Sequence, residues 1–290
     1  MSPLILVVWA FVVGACVGSF LNVCIARWPA DLSVVKPRSR CPNCGLQIAW
    51  YDNLPIISWI LLRARCRGCG LHISFQYPLV ELVVGLLWAA CVYQFGLGFT
   101  AVRIAIFITI LLGIAITDFK HYLIPDGFTV SGLVFVVATA LISGFRLDVS
   151  PFAGPWDAIV GACAGAGAVS IVGWLGEVTL KKEAMGFGDV TLMAVVGGAV
   201  GPGRALLVLF MGAALGAAVF VLIVLPVVKL RGAPAHAVPA PAPAEGDVAG
   251  EEEGALPHVP FGVFLAPAAV VALLWGDVLI SWYLNQVVTG

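Results

Sequence analysis

An all-α, polytopic membrane protein is the fold class this sequence predicts, on three observations. Hydrophobic residues make up 61% of the 290-residue chain and charged residues 11%, with a mean hydropathy of +1.05, too apolar for a water-soluble domain of this length. Apolar runs long enough to span occur at about 4 to 26, 78 to 96, 100 to 117, 127 to 145, 156 to 178, 204 to 228 and 260 to 285, and a shorter one at 189 to 201, giving about eight transmembrane helices. If these alternate in direction, all of the 15 basic residues except Arg103, Arg146 and Arg204 fall on one face, which the positive-inside rule makes cytoplasmic. Omitting the short helix would scatter the charges over both faces. The net charge of -1 carries no signal for nucleic acid.

The first run has no basic n-region, is too long for a signal-peptide core and lacks a small-residue cleavage site, so residues 1–26 read as a first spanning helix. Asn22 within it needs a hydrogen-bond partner on a neighbouring helix. Residues 27–77 are the one stretch able to form a small soluble domain. Cys41-Pro-Asn-Cys44-Gly and Cys66-Arg-Gly-Cys69-Gly stand 21 residues apart, each pair in a glycine-ended turn that points two thiolates at one point. Together Cys41, Cys44, Cys66 and Cys69 make a tetrahedral sulfur site suited to structural zinc, which so small a core needs as a staple; two disulfides or free thiols are the alternative in this cytoplasmic loop. Between the pairs, Trp50 to Leu62 is expected to pack on the membrane or on the metal module, with Asp52 and Asn53 as capping or turn residues. Cys16, Cys24, Cys91 and Cys163 lie in apolar helices and read as small buried hydrophobes.

Residues 78–228 form a membrane core. Glu81, one turn into the second helix, has three roles open to it: snorkelling, pairing with a loop arginine, or lining a cavity. Asp118 ends the run from Ile106, after which Phe119 to Pro125 form a short turn and Asp126 caps the next helix. His121 reads as an interfacial residue, with no second histidine nearby to form a relay. Ala184-Met-Gly-Phe-Gly-Asp-Val190 opens the short run. That run rises roughly 20 Å against a hydrocarbon core of roughly 30 Å, so Asp189 is expected below the membrane surface. Glu177, Lys181, Lys182 and Glu183 form a solvated boundary. Residues 229–259, rich in Ala, Pro and Glu, read as a disordered cytoplasmic linker that discounts His236 and His258 as ligands. In the last helix, 260–290, Asp277 lies toward the outer face and is expected to cap or pair locally.

Ionisable groups at membrane depth are functional candidates because the bilayer penalises charge. Asp118 and Asp189, on the same face, can approach within a few ångströms, where one shared proton makes one acid and one base able to hydrolyse a peptide bond through a water. Helix dipoles assign the charge to Asp189, at an N-terminus, and the proton to Asp118, at a C-terminus. Gly186 and Gly188 permit unusual backbone angles and close approach of an extended substrate. A transporter or proton relay using the same two aspartates is the alternative, and it requires polar groups continuing toward the outer face. A membrane methyltransferase with structural aspartates is another.

Gly18-Ser-Phe-Leu-Asn-Val-Cys-Ile-Ala-Arg27, the two cysteine pairs, Tyr77-Pro-Leu-Val-Glu81, Thr117-Asp118 with Ile124-Pro-Asp126, Met185-Gly-Phe-Gly-Asp189-Val and Pro260-Phe-Gly-Val-Phe-Leu265 together resemble the bacterial type IV prepilin peptidases, in the right order over nearly the whole chain. The resemblance implies an inner-membrane aspartic endopeptidase of the GxGD class with Asp118 and Asp189 as its catalytic pair. It implies cleavage after glycine of the basic leader of type IV prepilins or type II secretion pseudopilins, at the inner surface of the lipid bilayer. Members with the cysteine-bearing loop also methylate the new N-terminus from S-adenosylmethionine; the residues that bind this donor are unassigned, since no glycine-rich nucleotide fingerprint is present. The Ala/Pro- and Glu-rich insert before the last helix departs from the family pattern and is expected to be dispensable.

Overall fold

The computed structural model describes residues 2–144, 150–181, 185–226 and 260–288. Among these, seven helices are long and apolar enough to cross a membrane, and one shorter apolar helix joins them. Helix α1 (Pro3–Arg27) begins with proline in the first turn, where the missing N–H costs nothing, and ends in a 3-10 turn over Trp28–Ala30. The loop beyond holds a 3-10 turn at Trp50–Asn53 and a short α2 (Ile57–Leu61). There follow α3 (Gln76–Phe95), α4 (Phe99–His121), α5 (Asp126–Gly144), α6 (Pro155–Leu180), α7 (Phe187–Val200), α8 (Pro202–Val219), continued by a π turn over Phe220–Val224, and α9 (Gly262–Val288). The expected linker at 229–259 lies outside the described residues.

Glycine seams fix the two helix pairs that matter most. On α1, a Cβ at Gly14 would lie 3.0 Å from Gly85 Cα, and one at Gly18 would lie 2.8 Å from Glu81 Cα. Without a hydrophobic drive between helices in lipid, such small residues let two backbones meet. One turn further along α1, Asn22 Nδ2 donates to Tyr77 O at 3.0 Å, the neighbouring-helix partner the sequence required.

The second seam sets α7 against α6. Gly161 abuts the Gly197 carbonyl and Gly165 the Met193 carbonyl, and Ala153 N–H donates to Ala199 O at 2.8 Å. Residues Leu192, Met193 and Val195 to Val200 are buried. Because protein rather than lipid surrounds it, a helix of 14 residues need not match the bilayer thickness. Gly197→Leu would drive a side chain into the α6 backbone, which cannot step aside as a side chain could. This substitution is expected to cost about 3 kcal/mol or more. Thermal unfolding in detergent tests it, and an unchanged midpoint would mean that the seam does not hold α7.

Boundaries and burial differ from the sequence reading at several points. Helix α4 runs one turn past Asp118, because Lys120 and His121 suit a helix C-terminus and Tyr122, at φ 52°, closes it in the left-handed conformation. Cys24 and Cys91 are buried, but Cys16 and Cys163 are exposed on apolar helix faces. Asp277, expected to cap or pair locally, instead lies 3.7 Å from Arg204 on α8, with its own side chain 83% exposed. Arg103 is 1% exposed and stacks its guanidinium 4.0 Å above the Phe152 ring.

Candidate functional site

Three chain segments converge at one end of the bundle. Asp118 sits in the last turn of α4, 5% exposed, and its carbonyl accepts the Tyr122 N–H at 2.8 Å. Beside it, the buried Thr117 hydroxyl bonds back to Gly113 O and Ile114 O. Asp189 occupies the first turn of α7, with its N–H donating to Gly186 O at 3.1 Å. The two carboxylates lie within electrostatic reach of each other. Ile124, in the turn after α4, packs between the segments: a Cβ on Gly188 would lie 2.9 Å from Ile124 Cβ, and one on Gly262 would lie 3.1 Å from Ile124 Cδ1.

The third segment is the start of α9. Val263 N–H donates to Asp118 Oδ2 at 3.2 Å, and a Cβ on Gly262 would come within 2.8 Å of the same oxygen. An N–H in the first turn of a helix has no intrahelical acceptor, so Asp118 caps α9 from another helix. Each acid therefore faces a helix N-terminus. The dipole argument that gave the proton to Asp118 no longer separates the two.

Gly262, Val263 and Ile124 were not singled out as site residues from the sequence. The signal was present in Pro260-Phe-Gly-Val and Ile124-Pro-Asp126, but only the fold brings those runs to Asp118. Neither glycine of the short motif takes an unusual backbone angle, and close approach requires glycine only at Gly188. Gly186 is extended at φ -77° and ψ 152°, and Gly188 lies in regular helix against Ile124.

The cysteine pairs fold as two copies of one knuckle, Arg40-Cys-Pro-Asn-Cys-Gly-Leu-Gln47 and Arg65-Cys-Arg-Gly-Cys-Gly-Leu-His72. In the first, Cys41 N–H bonds Leu46 O and Gly45 N–H bonds Cys41 O, both at 2.9 Å; Cys66, Leu71 and Gly70 repeat the pattern at 2.8 and 2.9 Å. Gly45 and Gly70 close the turns at φ 69° and 70°, a region open to glycine without strain. All four sulfurs lie within 4.8 Å of one another, with Cys41 to Cys69 at 3.7 Å and Cys44 to Cys66 at 4.0 Å. A disulfide needs about 2.05 Å, whereas zinc–sulfur bonds of about 2.3 Å put tetrahedral sulfurs roughly 3.8 Å apart. The four cysteines are positioned to bind a metal ion. The Leu71 N–H, followed by Asn43, brings the Cys69 thiol down to about 6. Against the Leu46 N–H, desolvation and the neighbouring sulfurs push Cys44 up to about 11, as expected where four thiolates cannot gather without a cation.

Asp52 lies in the 3-10 turn Trp50–Asn53, in keeping with its expected turn role, and its side chain is the partner of Arg67, held at 2.8 Å to Nε and 2.5 Å to Nη2. The Arg67 hydrogen bonds and charge hold its carboxyl below the usual aspartate range. A depressed pKa contributes stability at neutral pH that is lost as pH falls through the folded value, below about 4. The acid unfolding of the module is therefore expected to shift toward neutral pH in Asp52→Asn. Following Trp59 fluorescence through an acid titration checks this, and identical midpoints would remove the pair from the module's stability.

The chain's resemblances follow this geometry. The bacterial peptidase A24 N-terminal domain matches residues 12–95, spanning α1, the cysteine module and α3. The type IV leader peptidase family matches residues 105–221, which contain both aspartates. The prepilin leader peptidase/N-methyltransferase of Stutzerimonas stutzeri is 35% identical over 98% of this chain and 96% of its own length. The chain belongs to the type IV leader peptidase family.

Within that family, the protein of the same description from Pseudomonas aeruginosa is 30% identical over 98% of this chain and 95% of its own length. That from Myxococcus xanthus is 41% identical over 66% of this chain, an alignment spanning 55% of the relative. No solved structure matches. Family membership and seven long apolar helices make this a multi-pass membrane protein.

Proposed function

We propose that this protein is a leader peptidase and N-methyltransferase of type IV prepilins or type II secretion pseudopilins, with Asp118 and Asp189 as the catalytic pair of an intramembrane aspartic endopeptidase. The observation that carries the reading is the meeting at the α9 N-terminus of Asp118 and Asp189, two acids that both lie inside the region matched by the leader peptidase family. Two carboxylates that feel each other's charge can share one proton: the ionised one deprotonates a water, the protonated one donates to the scissile carbonyl oxygen, and the tetrahedral adduct collapses as the proton passes to the leaving amine. Gly186, where an added Cβ would meet only Asp189 Oδ2 at 3.9 Å, leaves room beside that carboxylate for an extended leader.

The site belongs on the cytoplasmic face of the bacterial inner membrane, the side to which the basic residues assign the ends of α1, α4 and α6. A pilin helix lying in the bilayer would present its leader junction there. The domain division follows the same reading: a first span, a cytoplasmic cysteine module at 27–77, a membrane core at 78–228, and a last helix after the linker. Zinc is the metal the sulfur geometry suits; it would act structurally, staying closed to substrate. S-adenosylmethionine is the methyl donor that the second activity requires.

A proton relay is disfavoured by α4 itself. Beyond Asp118 its buried polar side chains are Thr117, Thr109 and Arg103, but both threonine hydroxyls bond their own backbone. The step of eight positions from one threonine to the other spans about 12 Å, too far for a proton to cross unaided. Incubating the purified, lipid-reconstituted protein with a prepilin tests the function. Release of the leader after glycine supports it; an inert, folded and metal-loaded protein would refute it.

A further inference from the structure

A cavity of about 350 Å³ opens between the C-terminal end of α1, the N-terminal end of α3 and the cysteine module, lined among others by Ser19, Asn22, Trp59, Tyr77 and Glu81. Two of these side chains are buried acceptors. Asn22 is 4% exposed; its donation to Tyr77 O fixes the amide orientation and leaves the buried Oδ1 without a partner. Glu81, 8% exposed, accepts the Ile56 N–H at 2.7 Å, and Ser19 lies beside its carboxylate.

Ile56 itself is held at φ 62° and ψ -50°, the centre of a γ-turn that Ile57 N–H closes onto Pro55 O at 2.5 Å. That conformation is strained for a β-branched residue, and strain of this kind gathers at functional sites. Of the three arginines that line the cavity, Arg67 is paired with Asp52, Arg27 donates to Ser33 O and Pro37 O, and Arg40 is exposed. The cavity therefore offers acceptors and a carboxylate to a ligand that is itself a cation and a donor.

We infer that this cavity is the methyl-transfer site, where Glu81 and Asn22 receive the N-terminal ammonium of the trimmed pilin; the inference rests on the methyltransferase part of the proposed function. Its volume lies in the range of small-molecule sites, about 300–1,000 Å³. Trp59 and Tyr77 supply aromatic surface of the kind that favours a cationic sulfonium donor. The ammonium gives one proton to the Glu81 carboxylate. The freed nitrogen lone pair bonds the donor's methyl carbon as the carbon–sulfur bond breaks, leaving its electron pair on a neutral thioether, and Glu81 returns its proton to water. Lys120, in the turn after Asp118, bonds Gln76 at the start of α3, so the cavity and the aspartates share one end of the bundle. The new N-terminus reaches it without crossing the membrane.

The test compares wild type, Glu81→Gln and Ala26→Trp in lipid. Glutamine still accepts the Ile56 N–H but cannot take a proton, and Ala26 lines the cavity wall. Methylation per cleaved pilin is expected to fall about 100-fold in Glu81→Gln. Calorimetry with S-adenosylhomocysteine should show binding to wild type and Glu81→Gln but not to Ala26→Trp. A free-amine pilin peptide should bind wild type more tightly than its acetylated form, and Glu81→Gln should lose that preference. Unchanged methylation in Glu81→Gln, retained S-adenosylhomocysteine binding in Ala26→Trp, or parallel loss of cleavage and methylation in Glu81→Gln would each overturn the assignment. A wild type that cleaves but never methylates would instead defeat the methyltransferase reading itself.

Discussion

Asp118→Asn and Asp189→Asn each lower leader release by about 10⁴-fold, the upper range for losing a positioned general acid or base. Asparagine keeps the size of the side chain, and at position 118 its amide oxygen can still accept the Val263 N–H that Asp118 receives at 3.2 Å. The helices therefore stay docked while the shared proton's chemistry is lost. Because the pair works as a unit, the double variant should be scarcely slower than either single one. Single-turnover cleavage in lipid, with thermal unfolding to confirm that each variant is folded, measures this. Full activity in either variant would remove the dyad, as would strictly additive losses.

Removing the metal has the second-largest expected effect, and it falls on the module alone. Structural zinc contributes about 10–16 kcal/mol of apparent binding free energy in small cysteine domains, comparable to the whole stability of such a fold. The knuckles here bring little core of their own: Leu46, Leu71, Trp50 and Leu61 are all exposed. A strong chelator, or the Cys41→Ser, Cys69→Ser double variant, should make residues 38–75 sensitive to protease while the membrane helices remain intact. Methylation should fail with the module, since the cavity loses one wall. Limited proteolysis with metal analysis decides it; a module that resists protease without metal would show that its own packing suffices.

Much of this architecture was legible because bilayer physics acts on composition directly. Length and apolarity marked the spans, and the brevity of the run at 189 to 201 already implied a helix sheltered by others, as α7 is within α6, α8 and α9. The cysteine site was legible from spacing, since a tight turn points two sulfurs at one place wherever it sits. The Asp52 ion pair was not, because its partner Arg67 lies 15 residues away and nothing local joins them. Glu81 was left with three roles for the same reason.

Periodicity, hydropathy and short-range turn chemistry were enough to specify a multi-pass helical membrane protein with two carboxylates at helix ends and a four-sulfur module. The company those groups keep was settled by the packing of the helices. The start of α9, 145 residues after Asp118, supplies the N–H that caps its carboxylate, and glycine seams draw α7 and α3 close enough to complete the two sites. Such contacts depend on which helix faces pack, and helix packing is a property of surfaces meeting in space that no local pattern encodes.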